Sequence, residues 1–168
     1  FECLGIVNKG GQNRHAEVAL RAVGRVARNA GSRQAGLAEM KAFLSEVGIS
    51  EKDYNFEDGS GLSRLTLITP SAVTRLLRHM HRTHGEAWVN LLPAGGVDGT
   101  LATRFRKAPK GAQVLAKTGS LSHVSALGGY AGPRGRLRYA FSIVVNNYNA
   151  PSSAGREVMD AIALLLAQ

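Results

Sequence analysis

Apolar positions recur at helical spacing through the first half of the chain and change to strand spacing in the second. From Gln12 to Arg28 the residues Ala16, Ala19, Leu20, Val23 and Val26 fall three and four apart, which predicts an amphipathic helix with Asn13 capping its start. Gly31-Ser32 breaks it. A second helix is expected over Arg33–Val47, with Leu37, Met40, Phe43, Leu44 and Val47 on one face and Gly48 at its C-terminal cap. A third begins at Pro70 behind Thr69, a suitable N-cap, and carries Val73, Leu76, Leu77 and Met80 on one side. A short helix around Glu86 to Leu92 stops at Pro93. Between the second and third helices, Asp58-Gly59 and Ser60-Gly61 are turn chemistry.

From Gln113 the pattern is that of strands. "QVLAKTG", "SALGGYAG" and "RLRYAFSIVVN" are β-rich, with a hairpin loop at Gly132-Pro133-Arg134-Gly135 between the last two. The segment from Ser152 to Gln168 closes the chain as an amphipathic helix. Helices, then an antiparallel meander centred near Val114–Ala116, Ala126–Gly129 and Arg138–Val145, then a helix packed back on it: this is an α+β fold, an antiparallel sheet with flanking helices. A length of 168 residues suits a single domain.

Composition narrows the function classes. A formal charge of +9 suits nucleic acid, an anionic membrane or wall polymer, or a small acidic substrate. Aromatic residues are few and do not alternate with the basic ones, so no base-stacking platform is expected, and nucleic acid is not the expected partner. No apolar run approaches the roughly 20 residues of a membrane span. The single cysteine, Cys3, allows no internal disulfide and reads as a small apolar residue or an intermolecular bridge.

Lys117, Thr118 and Gly119 end an apolar strand. A lysine beside a hydroxyl binds a carboxylate by charge and hydrogen bond, and the glycine lets a ligand approach the backbone. A bare strand end with a snorkelling lysine has the same composition. The serines carry a similar ambiguity. Ser60 and Ser63 lie in "DGSGLS", and Ser120 and Ser122 follow the lysine with His123 adjacent. Each is either a candidate nucleophile or a hydroxyl that satisfies turn backbone. His79, His81 and His84 crowd a helix end without matching carboxylates, which reads as a basic surface; no metal and no cofactor are expected. Asp58 and Asp98 read as turn formers, and Trp88, Leu91 and Leu92 as core.

"LPAGGVDGTL" followed by "AKTGSLSHVSALGGYAG", with "NKGGQNRHAEVALRAVGR" and "EDGSGLSRLTLITP" upstream, resembles the serine D-Ala-D-Ala carboxypeptidases, the low-molecular-weight class C (S13-type) penicillin-binding proteins. The resemblance covers essentially the whole chain. It implies a partial β-lactamase/penicillin-binding-protein-like fold, with a site built from S-x-x-K, S-x-N and K-T-G elements. The K-T-G element is intact at Lys117, Thr118 and Gly119, which in the family receive the substrate's terminal carboxylate. Asn13 matches the asparagine of S-x-N, which holds the substrate amide, but Gly11 stands where the serine belongs. No serine precedes any lysine by three residues, so S-x-x-K is absent from this sequence.

The resemblance therefore implies the C-terminal part of such an enzyme, with a degenerate site acting on a peptidoglycan stem peptide, a β-lactam or a small ester. A non-catalytic binding module and a promiscuous esterase are the alternatives. An extracytoplasmic or periplasmic location follows from the same resemblance. A homo-oligomer is expected if an open sheet edge or apolar face is to be covered.

Overall fold

The computed structural model describes residues 2–168, which divide into two compact units. One unit is Gln12–His79; the other joins the residues up to Gly11 with Met80–Gln168.

The Gln12–His79 unit is built on a helix pair, α2 (Asn13–Arg28) and α3 (Arg33–Glu46), preceded in the chain by α1 (Glu2–Gly10) of the other unit. Asn13 does not cap α2. It is the first helical residue, and the extended residue before it is Gln12, whose side chain makes no capping bond. The real N-caps are Ser32, which accepts from the Ala35 amide at 3.1 Å, and Thr69, which accepts from Ala72 at 3.2 Å.

The predicted apolar stripe of α2 is also only partly buried. Leu20 is covered, but Val26 is 88% exposed, and the buried partner of Leu20 on this helix is Gly24. The reason lies across the helix interface. A methyl group at Gly36 would stand 2.2 Å from the Leu20 carbonyl oxygen, and one at Gly24 would stand 2.6 Å from the Gly36 amide nitrogen. The two backbones meet at a pair of glycines, so contact there is made by main chain and not by the valines.

Two short antiparallel strands, β1 (Tyr54–Asn55) and β2 (Leu67–Ile68), close the loop after α3. The Asp58 carboxylate organises that loop. It accepts from the Ser60 and Thr66 hydroxyls at 2.8 and 2.7 Å, and from the Leu62 and Ser63 amides at 2.8 and 3.0 Å. Burial alone would raise its pKa, but these four donors outweigh burial and hold it below the ordinary carboxylate value. A depressed folded pKa means stability that is present above the unfolded value near 3.8 and lost as pH falls through the folded pKa. Asp58→Asn is expected to cost about 1–2 kcal/mol at neutral pH, since an amide retains one acceptor oxygen, and to flatten the acid limb of a stability-against-pH curve. Denaturant melts between pH 2 and 7 (about the range in which carboxylates titrate) check both effects.

The span α4 (Pro70–Val89) is two helices joined across a kink at Gly85 (φ 54°, ψ −136°), so a separate short helix follows the kink as expected from Glu86 on, although its helical residues stop at Val89, short of Leu92. Leu91 and Leu92 are buried as expected, whereas Trp88 is only partly buried and the fully buried residue beside it is Val89.

The other unit holds an antiparallel sheet in the order β3 (Ala112–Leu121), β4 (Val124–Pro133), β5 (Tyr139–Asn146). In register, Lys117 faces Gly128 across β3–β4, and Leu127 faces Ile143 across β4–β5. The final helix, α5 (Ser152–Leu166), packs on this sheet: Met159, Ala163 and Ala167 join Val114, Ala116, Leu127, Ala131 and Phe141 in one core. The α+β architecture, its three strands and the closing helix are therefore as the hydrophobic pattern predicts. Cys3 is exposed and unpaired.

Candidate active site

The K-T-G residues lie within β3, in the unit that also contains Gly11. Side chains alternate across a strand, so Lys117 and Gly119 share one side while Thr118 and Ser120 share the other. The Lys117 ammonium donates to the Thr118 carbonyl oxygen at 2.7 Å, and the Thr118 hydroxyl donates to Thr100 Oγ1 at 2.9 Å. Burial pushes the Lys117 pKa below the ordinary lysine value, because a desolvated ammonium costs free energy.

Gly11 follows α1 with φ +64°. A methyl group built on it would lie 3.8 Å from Lys117 Nζ and 3.7 Å from Thr100 Cγ2, both ordinary contacts. Gly11 is thus beside Lys117, and the place for a side chain is open.

A second set of contacts sets the position of Thr100. Lys9 donates to Asp98 Oδ2 at 2.5 Å, while Asp98 Oδ1 accepts from the Ala94 amide at 2.8 Å. Burial would raise the Asp98 pKa; the bonds from Lys9 and Ala94 and the charge of Lys9 lower it below normal. A methyl group at Gly99 would stand 2.6 Å from the Lys9 carbonyl oxygen, so the Asp98-Gly99-Thr100 turn lies directly on the end of α1. Asp98 is a turn former with a purpose: it carries Thr100 to Thr118.

Beside Thr118 and Ser120 opens a cavity of about 490 Å³, bounded also by Thr100, Arg104 and the first two turns of α5. Arg104 is bound to Asp160 through both carboxylate oxygens, at 2.5 to 3.2 Å.

The structure therefore brings Lys117, Thr118, Gly119 and Ser120 together with Gly11 and Thr100. Ser60 and Ser63 belong to the Gln12–His79 unit and gather around Asp58. The Ser60 hydroxyl donates to Asp58, and Ser63 Oγ accepts from the Leu65 amide at 3.3 Å. Asn13 is exposed at the first position of α2. Among the described residues no group of three or more His, Cys, Asp or Glu side chains could hold a metal ion. His79 packs edge-on against Phe43, and His81 lies 5.6 Å from the Tyr130 ring. The Tyr130 hydroxyl, pushed up to about 12 by burial, accepts from Trp88 Nε1 at 3.0 Å.

Thr100, Arg104 and the α5 residues were not legible as site residues. The "VDGTL" segment stood out as turn chemistry, but nothing in its spacing says that its threonine reaches a strand 18 positions later.

The chain is similar to known proteins in sequence and in fold. The sequence pattern of the D-Ala-D-Ala carboxypeptidase 3 (S13) family matches residues 1–168. A D-alanyl-D-alanine carboxypeptidase of Actinomadura sp. (strain R39) is 40% identical over 163 residues, covering 93% of this chain and 30% of that protein. The crystal structure of penicillin-binding protein 4 from Haemophilus influenzae superposes with a TM-score of 0.79 at 29% identity, over 89% of this chain and 34% of the other. A second structure of that protein, complexed with a novel β-lactam, gives the same TM-score at 26% identity, over 96% of this chain and 41% of that one. This chain spans about a third of the length of these relatives. The S13 match runs along the whole of it, and the chain belongs to the D-Ala-D-Ala carboxypeptidase family.

Proposed function

We propose that this chain supplies the carboxylate-receiving side of a serine-type carboxypeptidase site for peptidoglycan peptides ending in D-Ala-D-Ala, with β-lactams as mimics and small esters as lesser substrates. The observation that carries this reading is the cluster of Lys117, Thr118 and Thr100 around the open position of Gly11. Thr118 offers a hydroxyl to the terminal carboxylate, Lys117 supplies positive charge behind it, and Gly119 leaves the strand backbone accessible. Asn13 is assigned to the substrate amide by its place in the S-x-N element.

The site is degenerate in this reading. At Gly11 no hydroxyl can pass a proton to or from Lys117, so peptide hydrolysis is slow. That same observation favours a second reading, a binding module without turnover. Of the serines considered as nucleophiles, Ser120 lines the cavity beside Thr118, whereas Ser60 and Ser63 serve the turn around Asp58. Ester cleavage needs less activation of the leaving group than amide cleavage, so weak esterase activity through Ser120 is the chemistry this site retains. Such a protein acts outside the cytoplasm, where peptidoglycan is.

The test joins binding to turnover. Calorimetry with an N-acylated D-Ala-D-Ala peptide is expected to show binding. Hydrolysis of an acyl p-nitrophenyl ester is expected to be weak, to vanish in Ser120→Ala and to persist in Ser60→Ala and Ser63→Ala. Absence of peptide binding at millimolar concentration would overturn the reading. Ester hydrolysis that survives Ser120→Ala would remove Ser120 from it.

A further inference from the structure

The unit that carries the three-stranded sheet has an unbalanced charge. No aspartate or glutamate stands between Asp98 and Glu157, the stretch that holds most of that unit's arginines and lysines. Asp98 is paired with Lys9 and Asp160 with Arg104, so neither neutralises the rest. Arg106, Lys107 and Lys110 lie in the loop that leads into β3, and Arg134, Arg136 and Arg138 in the turn between β4 and β5. The fold brings these two segments together at one end of the sheet. The Arg134 amide donates to the Gly111 carbonyl at 2.7 Å, and Ala112 pairs with Pro133 in register.

All of these basic side chains are exposed, and none has an ion pair among the described residues. Arg106 and Arg138 each donate to a main-chain carbonyl, of Ala102 and Gln168. The side chains of Lys107, Lys110, Arg134 and Arg136 make no hydrogen bond among the described residues. Unpaired like charges in one patch repel one another, so the fold alone does not account for them. The surface between them is open. Gly111 and Gly135 have φ of +89° and +78°, and nothing lies within 4 Å of where a Cβ would stand on either. A cleft of about 180 Å³ is bounded there by Gly111, Gln113 and Arg134.

We propose that this end of the sheet binds a flexible phosphodiester polymer, a linear chain of polyol phosphates. The guanidinium forks of Arg134 and Arg136 match phosphate oxygens, Lys107 and Lys110 supply point charge, and the cleft seats one repeat unit between the two loops. Other polyanions fit less well. Among the exposed large apolar side chains only Tyr139 lies in these segments. One aromatic ring makes no stacking platform for nucleic-acid bases, and it makes no apolar face to enter a bilayer. The patch is also remote from the K-T-G residues. From Ala112 to Lys117 the strand covers roughly 17 Å at about 3.4 Å per residue. A bound polymer therefore anchors the protein and leaves the other end of the sheet free, and the inference does not depend on the carboxypeptidase reading.

The experiment is a calorimetric titration of the full chain with lipid-free poly(glycerol phosphate) at low salt. Two variants of equal net charge are compared. One replaces Lys107, Lys110, Arg134 and Arg136 by glutamine; the other replaces Arg21, Lys41, Arg78 and Arg82, which are exposed on helices away from the sheet. Circular dichroism checks that both fold. Wild type is expected to bind, and to bind at least about tenfold more weakly when salt rises from about 50 to 200 mM, because each phosphate contact releases a counterion. The patch variant should lose about tenfold or more, and the control variant less than about threefold. Equal losses in the two variants would overturn the patch, since net charge alone would then explain binding. No binding by wild type would overturn it outright. Tighter binding of single-stranded DNA at equal charge concentration, or co-sedimentation with anionic phosphatidylglycerol vesicles without polymer binding, would replace the polymer by a nucleic acid or a bilayer.

Discussion

Replacing Gly36 by alanine is expected to lower stability by about 3 kcal/mol, at the upper end of what overpacking costs. Helix propensity argues the other way: alanine in the middle of a helix is worth about 1 kcal/mol more than glycine. The interface decides. The new methyl would stand 2.2 Å from the Leu20 carbonyl oxygen and 2.8 Å from the Leu20 carbonyl carbon, both backbone atoms that cannot rotate away. Relief requires α2 and α3 to move apart, which also disturbs Gly24 against the Gly36 amide. At about 2–4 °C per kcal/mol for a chain of this size, the melting temperature should fall by roughly 6–12 °C. Gly31→Ala is the control: the nearest atom to its methyl would be Arg25 Cβ at 3.9 Å, and a change within about 0.5 kcal/mol is expected. Thermal melts in which Gly36→Ala matches or exceeds wild type would remove the close-approach account of this helix pair.

The largest functional effect is expected at Lys117. Lys117→Met keeps much of the apolar stem and removes the charge. A charge-assisted interaction contributes about 1.5–3 kcal/mol, so binding of a D-Ala-D-Ala peptide should weaken by one to two powers of ten. One of the three ammonium protons goes to the Thr118 carbonyl, and the charge and the other two remain for a ligand. The effect is therefore also a pH effect. Burial lowers the pKa of Lys117, so its charge, and the binding that depends on it, should fade at a lower pH than an exposed lysine would allow.

The stability consequence has the opposite sign. Below the folded pKa the cost of burying the charge is fully present. As pH rises through the folded pKa toward the ordinary value of 10.5 the unfolded chain binds more protons, and that cost is relieved. Calorimetry from neutral to alkaline pH on wild type and Lys117→Met checks the first effect. Equal affinities for the two proteins at neutral pH would refute the role of Lys117.

Much of the fold is written locally. The three strands and the final helix follow from periods of two and 3.6 in the apolar positions; the hairpin expected at Gly132–Gly135 turns later, at Arg134-Gly135, because Gly132 and Pro133 pair with Gln113 and Ala112 as the end of β4. Thr69 and Pro70 start α4 by chemistry that acts within three or four residues. The K-T-G triplet is legible for the same reason, since it is contiguous. What sequence reasoning misplaced are features set by a partner far along the chain. Asn13 looked like a cap, but whether a side chain caps depends on where the backbone turns, and the turn comes at Gln12. Val23 and Val26 fit a buried stripe by spacing, yet the helix interface is a glycine contact, and spacing carries no information on how closely two helices approach.

The candidate site divides along the same line. Sequence by itself determined the fold class, the family and the identity of Lys117, Thr118, Gly119 and Asn13 as candidates, because each rests on residue type and on order along the chain. Tertiary structure alone decided that Gly11 opens beside Lys117, that Thr100 bonds to Thr118, and that Ser60 is tied to Asp58 while Ser120 lines a cavity with Arg156. The physical reason is range. Hydrogen bonds and ion pairs act over a few ångströms in space, and the segments from Gly11, Thr100, Thr118 and Arg156 come within that range only after α1, the β3 strand and α5 have packed.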